Sequence, residues 1–296
     1  MSERSSRSRT NEDPVTYHLY ILAGQSNMDG MGFVSDLPSE LNAPQEGTII
    51  YNPTRRDDQQ PVQDLGKWET LQPGHGYGHR FTQGDKVEQV LSDRFGPELS
   101  FARRLKELQP DQNIALFKYA KGGSSIHPDT PDDWGCWDPD FDINNGINQW
   151  THFEYHYLRA TNKKDSFGQG TEMELKPSGI VWMQGESDAA YSEEIARAYS
   201  VNLAKVIRRI RSLTGIQNLP VVIGQISGTG MEGSKPALPW AEIVQEAQQT
   251  FVEQDTNAAL VQPPEGHGWL DAWHYDSETY LQLGKRFAEA MDRLRE

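Results

Sequence analysis

Two clusters, far apart in the chain, carry residue types that together could break an ester. The first is Gly24-Gln25-Ser26-Asn27-Met28, a small-residue turn that closes the apolar run from Tyr17 to Ala23 and presents a hydroxyl between two amides. The second is Asp271-Ala272-Trp273-His274, an acid and an imidazole near the end of the chain. A serine hydroxyl is a weak nucleophile at neutral pH. It needs a base within hydrogen-bond reach, and the base needs an orienting acid. His274 stands where such a base could start the last helix, and Asp271 can curl back to its second ring nitrogen. Taken singly, a Gly-x-Ser is a turn, and an Asp-x-x-His is a loop histidine satisfied by Asp271 or Asp276. Their joint presence points to acyl transfer through Ser26.

Acyl transfer also needs donors aimed at the tetrahedral oxyanion. The backbone N–H of Ser26 is one candidate. The turn Lys121-Gly122-Gly123-Ser124 offers a second, since glycine lets the backbone approach closely. The amide of Gln184 or of Asn27 offers a third. In Gln184-Gly185-Glu186-Ser187-Asp188, Glu186 is a second acid that could orient His274 in place of Asp271 or alongside it. Gln25, Asn27 and Trp273 are the candidate substrate contacts.

Three of these polar clusters follow a predicted strand, and the Asp271–His274 pair precedes the last helix. Strands are expected at about 15–23, 113–119, 179–183, 219–226 and 258–261, from short apolar runs bounded by turn residues. Helices are expected at about 97–109, 192–213, 239–254 and 277–294, from apolar positions at helical spacing. This alternation predicts a three-layer α/β/α sandwich around a doubly wound parallel sheet of about five strands. Ligands of such sheets bind beyond the carboxyl ends of the strands, so Ser26, Gly123 and Gln184 should converge.

Residues 1–13 read as a disordered tail, and 14–296 as one domain with long insertions at about 29–95 and 127–170. Both insertions are rich in Gly, Pro, Asn and Asp, and only Thr48 to Tyr51 reads as a short strand in the first. Within it, Gly74-His75-Gly76-Tyr77-Gly78-His79-Arg80 has no carboxylate or Cys at ligand spacing. It reads as a solvated or substrate-facing loop rather than a metal site. His152 and His156 are one helical turn apart, but Phe153 stands where a zincin motif requires Glu. They read as a helix-surface pair. Trp134, Trp137 and Trp150 could either stack on sugar faces or anchor their loops.

The 296 residues carry a formal net charge of −15, which argues against nucleic-acid and anionic-membrane partners. The single cysteine, Cys136, allows no internal disulfide. The first ten residues have no apolar h-region, and the protein is expected in the cytoplasm, or secreted if a signal has been removed. No metal or cofactor is expected, and the oligomeric state is open.

The motifs Gly24-Gln25-Ser26-Asn27-Met28, Gly96-Pro97-Glu98, Lys121-Gly122-Gly123-Ser124, Gln184-Gly185-Glu186-Ser187-Asp188 and Asp271-x-x-His274 stand in the order seen in the SGNH hydrolase superfamily. The chain resembles its sialate O-acetylesterase-like branch, which includes the carbohydrate esterase family 6 acetylxylan esterases, over about 15–294. The resemblance implies a flavodoxin-like fold, Ser26 as nucleophile and His274 as base, and Ser26, Gly123 and Gln184 as oxyanion donors. Both Asp271 and Glu186 match positions viewed as the acid in relatives; we take Asp271, with Glu186 in support. Met183 departs from the His that precedes Gln-Gly-Glu in many relatives. The expected activity is removal of O-acetyl groups from a carbohydrate through an acetyl-enzyme. The alternatives are hydrolysis of another short acyl ester or thioester, and carbohydrate binding without catalysis.

Overall fold

The computed structural model describes residues 14–54, 65–83, 87–130, 134–162, 173–228 and 238–295. The expected disordered tail, residues 1–13, lies outside them.

The chain opens with β1 (Val15–Gly24), which runs into the single-turn helix α1 (Ser26–Asp29). Short strands β2 (Gly32–Phe33), β3 (Thr48–Tyr51), β4 (Trp68–Thr70), β5 (Arg80–Gln83), β6 (Val87–Val90) and β7 (Arg94–Phe95) follow. Next come α2 (Glu98–Leu108), β8 (Asn113–Ala120), α3 (Gln149–Ala160) and β9 (Met173–Met183). The rest comprises α4 (Glu186–Tyr191), α5 (Glu193–Thr214), β10 (Val221–Gly224), α6 (Ala241–Gln254), β11 (Ala258–Val261) and α7 (Ser277–Arg293). No helix among the described residues is long and apolar enough to cross a membrane.

The main sheet has seven strands in the order β11-β10-β9-β1-β8-β3-β4, all parallel but for β4 against β3. The expected five strands form its frame, β8-β1-β9-β10-β11, which is the flavodoxin-like order. The other two come from the 29–95 insertion, expected to be mostly loop. It extends the sheet at the β8 edge and adds a separate hairpin, β5–β6. The strands β4 to β7 are two to four residues long. Such short segments give too few periods for alternation to be read. β9 begins six residues earlier than expected. Its first half, Met173 to Ser178, contains Pro177 and faces partly outward, and a register shift against β1 falls beside Pro177. Proline and exposure together hide a strand in sequence.

Alternate residues of the central strands face opposite helical layers. Leu19, Ile21, Phe117, Ile180 and Trp182 pack with Phe153 of α3 and with Tyr199, Leu203 and Val206 of α5. Tyr20, Leu22, Leu116 and Val181 pack with Leu99 and Leu105 of α2 and with Phe287 and Met291 of α7. Both faces of the sheet are covered, which is why these strands are continuously apolar. His152 and His156 are not a surface pair: both are buried in α3, and the His156 ring stacks against Tyr119 of β8. Trp137 and Trp150 are likewise core anchors, whereas Trp134 is exposed.

One charge interrupts the apolar strand β8. Lys118 is fully buried and pairs with the equally buried Glu98 at 2.8 Å. Its ammonium also donates to the carbonyls of Asp29 at 2.8 Å and His75 at 2.9 Å. Three donors meet three acceptors, so the pair is fully hydrogen-bonded and fastens α1 and the 29–95 insertion to the sheet. Removing one partner of a buried pair strands the other's charge, at a cost of roughly 3–5 kcal/mol. Lys118→Met should lose stability of this order in urea unfolding. Lys118→Met with Glu98→Gln should recover only part, because the two carbonyls still lack their donor. A single variant within about 1 kcal/mol of wild type would contradict this role.

Candidate active site

The ends of β1 and β9 mark the point where successive connections leave β1 in opposite directions, the place beyond which such sheets hold ligands. Gly24 closes β1 with φ 145°, and a Cβ there would lie 2.0 Å from the Met183 carbonyl oxygen. Only glycine lets the two strand ends approach so closely. The Gln25 N–H then donates to that carbonyl at 2.9 Å, and the chain turns into α1 with Ser26 at its first position. Ser26 Oγ has no hydrogen-bond partner among the described residues. Gly122 lies against it: a Cβ on Gly122 would sit 3.3 Å from the Ser26 Cβ.

Ser26 opens into a cavity of about 850 Å³. Gln25, Gly122, Gly123, Glu186, Trp273 and His274 also line it, so all four polar clusters converge there. His274 Nδ1 is 2.8 Å from Asp271 Oδ2, and the Asp271 carboxylate also accepts from the N–H groups of Trp273 at 2.8 Å and His274 at 2.9 Å. Partial burial pushes the Asp271 pKa up, but these bonds outweigh it and hold it below its usual value. No hydrogen bond joins Ser26 to His274; in ligand-free sites such contacts are often long.

Several expected roles are corrected. Gln184 is fully buried and does not reach the cavity. Its Nε2 donates to Asp188 Oδ2 at 2.6 Å and to the Ser124 carbonyl at 3.3 Å. Both amide hydrogens are therefore committed, and Gln184 cannot serve as an oxyanion donor. Asn27 does not touch substrate space either. Its Nδ2 donates to Glu186 Oε1 at 2.6 Å and to the Trp273 carbonyl at 3.1 Å. Its Oδ1 accepts from the Tyr280 hydroxyl at 2.7 Å and the Tyr275 N–H at 3.5 Å. Gln25 does line the cavity, but its Oε1 accepts from the N–H groups of Gly185 at 3.2 Å and Ser187 at 3.4 Å. It braces the turn after β9. Trp273 lines the cavity and is 43% exposed.

Glu186 is fully buried, and burial raises its pKa against the opposing bond from Asn27. One of its carboxylate oxygens has no hydrogen-bond partner among the described residues. Its hydrogen bond goes to Asn27, not to His274. Burial pushes Asp188 up to about 7, although Gln184 and the Ile126 N–H bond it.

Sequence reasoning missed other cavity residues, among them Tyr77, His79 and Tyr191. The first two lie in the 74–80 turn, which lines the cavity through Tyr77, Gly78 and His79. The solvated reading does not fit the histidines, since His75 is fully buried and His79 is 3% exposed. Burial drives His75 well below its usual pKa and His79 to about 4. A carboxylate does reach them, Glu69 of β4. The pairing of β4 with β3 supplies it, and no local spacing rule could find it. Trp134 also lines the cavity, lying against Gly123.

A family model described as "SASA: Carbohydrate esterase, sialic acid-specific acetylesterase" matches residues 16–293. Among solved structures, a protein of Arabidopsis thaliana is similar at TM-score 0.62 and 20% identity, covering 94% of this chain and 98% of its own. A carbohydrate acetylesterase from Xanthomonas citri is similar at TM-score 0.62 and 19% identity, over 94% of this chain and 56% of that one. NanS is similar at TM-score 0.58 and 17% identity, covering 95% and 98%. These likenesses establish a shared fold. Comparison with curated protein sequences gives no match.

Asn27→Ala should release the 269–275 loop from α1. We expect faster amide exchange at Trp273 and His274 with little change in β1; unchanged loop exchange would deny Asn27 this part. Asp188 makes a separate prediction. A carboxyl whose folded pKa is raised stabilises most when protonated, and that contribution is lost as pH rises through its folded value, about 7. Asp188→Asn should flatten the fall in stability between roughly pH 4 and 7. An equally steep curve in the variant would be inconsistent with titration there.

Proposed function

Since the chain belongs to the family of carbohydrate esterases described as sialic acid-specific acetylesterases, we propose that it removes O-acetyl groups from a carbohydrate by nucleophilic catalysis at Ser26. One observation carries this reading. An unengaged serine hydroxyl, and a histidine whose far nitrogen is held by a carboxylate, face the same cavity from opposite ends of the chain.

His274 Nε2 takes the proton of Ser26 as Oγ attacks the acetyl carbonyl. Asp271 holds the ring with Nδ1–H directed at itself, leaving Nε2 with its lone pair. The oxyanion is stabilised by backbone N–H groups of Ser26 and the Gly122–Gly123 turn, without the Gln184 amide. The tetrahedral intermediate collapses as His274 returns the proton to the departing sugar oxygen. Water, deprotonated by the same nitrogen, then attacks the acetyl-enzyme; as that intermediate collapses His274 returns the proton to Ser26 Oγ and acetate leaves. Every step uses one base and no redox change. Asp271 is the acid of this scheme because it bonds His274 directly. Glu186 acts one step removed, by holding Asn27 and through it the Trp273 carbonyl.

The rim supports a sugar as acyl carrier. Trp134, Trp273, Tyr77 and Tyr191 offer ring faces, while Lys121 and Asp29 supply polar groups among them. Flat rings suit the C–H faces of a pyranose, and scattered polar groups suit its hydroxyls. Which acetylated sugar enters is decided by acetate release from a panel including acetylated xylan and O-acetylated sialic acids.

Ser26→Ala should abolish turnover of p-nitrophenyl acetate and of the best panel substrate; full activity in that variant would refute the mechanism. Asp271→Asn should cost roughly 10³–10⁴ in kcat by favouring the wrong ring tautomer, whereas Glu186→Gln should stay within about tenfold of wild type. The reverse ranking would transfer the role of acid to Glu186.

A further inference from the structure

We propose that Glu69, His75 and His79 form a zinc-binding site that fastens the 29–95 insertion into the cavity wall. It is independent of the reading of Ser26.

The two histidines come from one turn and the carboxylate from β4, and they meet through tertiary structure. Gly74 and Gly78 both adopt positive φ, 106° and 94°, and the His79 N–H closes a turn onto the Gly76 carbonyl at 3.0 Å. That turn brings the two imidazoles to 5.1 Å between ring centroids. Glu69 reaches them from β4, with Oε1 3.6 Å from His75 Nε2. One ligand atom from each residue falls within 4.8 Å of the others. A zinc ion bound at roughly 2.0–2.1 Å would draw such donors to roughly 3.3–3.5 Å of one another. Small side-chain rotations supply that.

Two observations point to a ligand. His75 is completely buried, yet neither of its ring nitrogens has a hydrogen-bond partner among the described residues. A buried ring is costly in that condition, and coordination of Nε2 would relieve it. The second observation is Gln89 of β6. Its amide nitrogen contacts Glu69 Oε1 and lies 2.8 Å from His79 Nε2. A single donor reaching both acceptors shows that their lone pairs converge on one region, which that amide now fills; with the amide turned aside, an ion there would be held by the carboxylate and the two imidazoles.

The donor chemistry selects the ion. Two imidazoles with one carboxylate suit zinc and its late first-row neighbours, while calcium and magnesium prefer all-oxygen shells. The surrounding charge permits a cation. Lys118, whose ammonium binds the His75 carbonyl, is neutralised by Glu98. Lys67 is mostly exposed and approaches the other Glu69 oxygen only to 4.0 Å, leaving Oε1 to the cluster.

The ion would act on the fold. It would join β4, the 74–79 turn and the β5–β6 hairpin, segments with few apolar residues. Tyr77, Gly78 and His79 line the cavity, so one wall would be set by coordination. Ser26 and His274 need no metal for the chemistry above.

The test uses the untagged full-length chain, stripped with chelator and titrated with zinc sulfate by calorimetry. We expect one equivalent bound at micromolar affinity or tighter, a higher Tm, and two imidazole nitrogens at roughly 2.0–2.1 Å in zinc-edge X-ray absorption. Glu69→Gln is nearly isosteric at a partly exposed position; it should fold normally by circular dichroism and weaken binding by roughly tenfold or more. His79→Asn should do the same. No saturable uptake by the wild-type chain would overturn the proposal, as would an absorption spectrum without imidazole ligands. Uptake left intact in both folded variants would place the zinc elsewhere and overturn it equally.

Discussion

The side chain of Asn27 is the contact on which the rest of the site depends. An amide offers two donor hydrogens and two acceptor lone pairs, and here all four are used. They reach Glu186 after β9, the Trp273 carbonyl and Tyr275 N–H in the histidine loop, and the Tyr280 hydroxyl in α7. The group is buried, so each bond is worth more than it would be in water, and each loss would leave a polar group stranded. Asn27 follows Ser26 directly. The serine is thereby indexed to His274, nearly 250 positions later in the chain, without the two side chains touching.

Around that contact the site is built from close approaches. Gly24 brings the ends of β1 and β9 together, Gly122 lies against Ser26, and Gly123 lies against Trp134. Buried polar groups hold these approaches in place. Gln184 spans Asp188 and Ser124, Gln25 braces the turn after β9, and Lys118 ties α1 to Glu98. Amides that looked like catalytic donors turn out to be braces. Their short, flat, fully hydrogen-bonding heads suit that task, and residue type alone does not distinguish it from oxyanion binding.

The two candidate acids differ in how they are held. Asp271 is local to His274, and its contacts with the ring and two N–H groups follow from one tight turn. Glu186 is distant in sequence and wholly buried, and its pKa is raised. A carboxyl that resists ionisation is poorly suited to stabilising an imidazolium, and well suited to accepting a hydrogen bond from a neutral amide. This physical contrast supports the proposal that Asp271 rather than Glu186 orients His274.

The sequence alone determined what depends on local pattern. The apolar runs that end in small residues marked the five-strand frame, helical spacing marked α2, α5, α6 and α7, and Asp271-x-x-His274 marked a contact that closes within one turn. Strand ends in a parallel sheet share an edge, so Ser26, Gly123 and Gln184 were expected to converge before any coordinates, and the first two do line one cavity. Only the tertiary structure decided what depends on residues brought together from afar. It showed the 29–95 insertion extending the sheet at the β8 edge, and His152 and His156 turned into the core. It committed Gln184 and Asn27 to neighbours on other strands and helices. It also set Glu69 beside His75 and His79, because strand pairing, unlike helical or turn geometry, leaves no fixed interval in the chain.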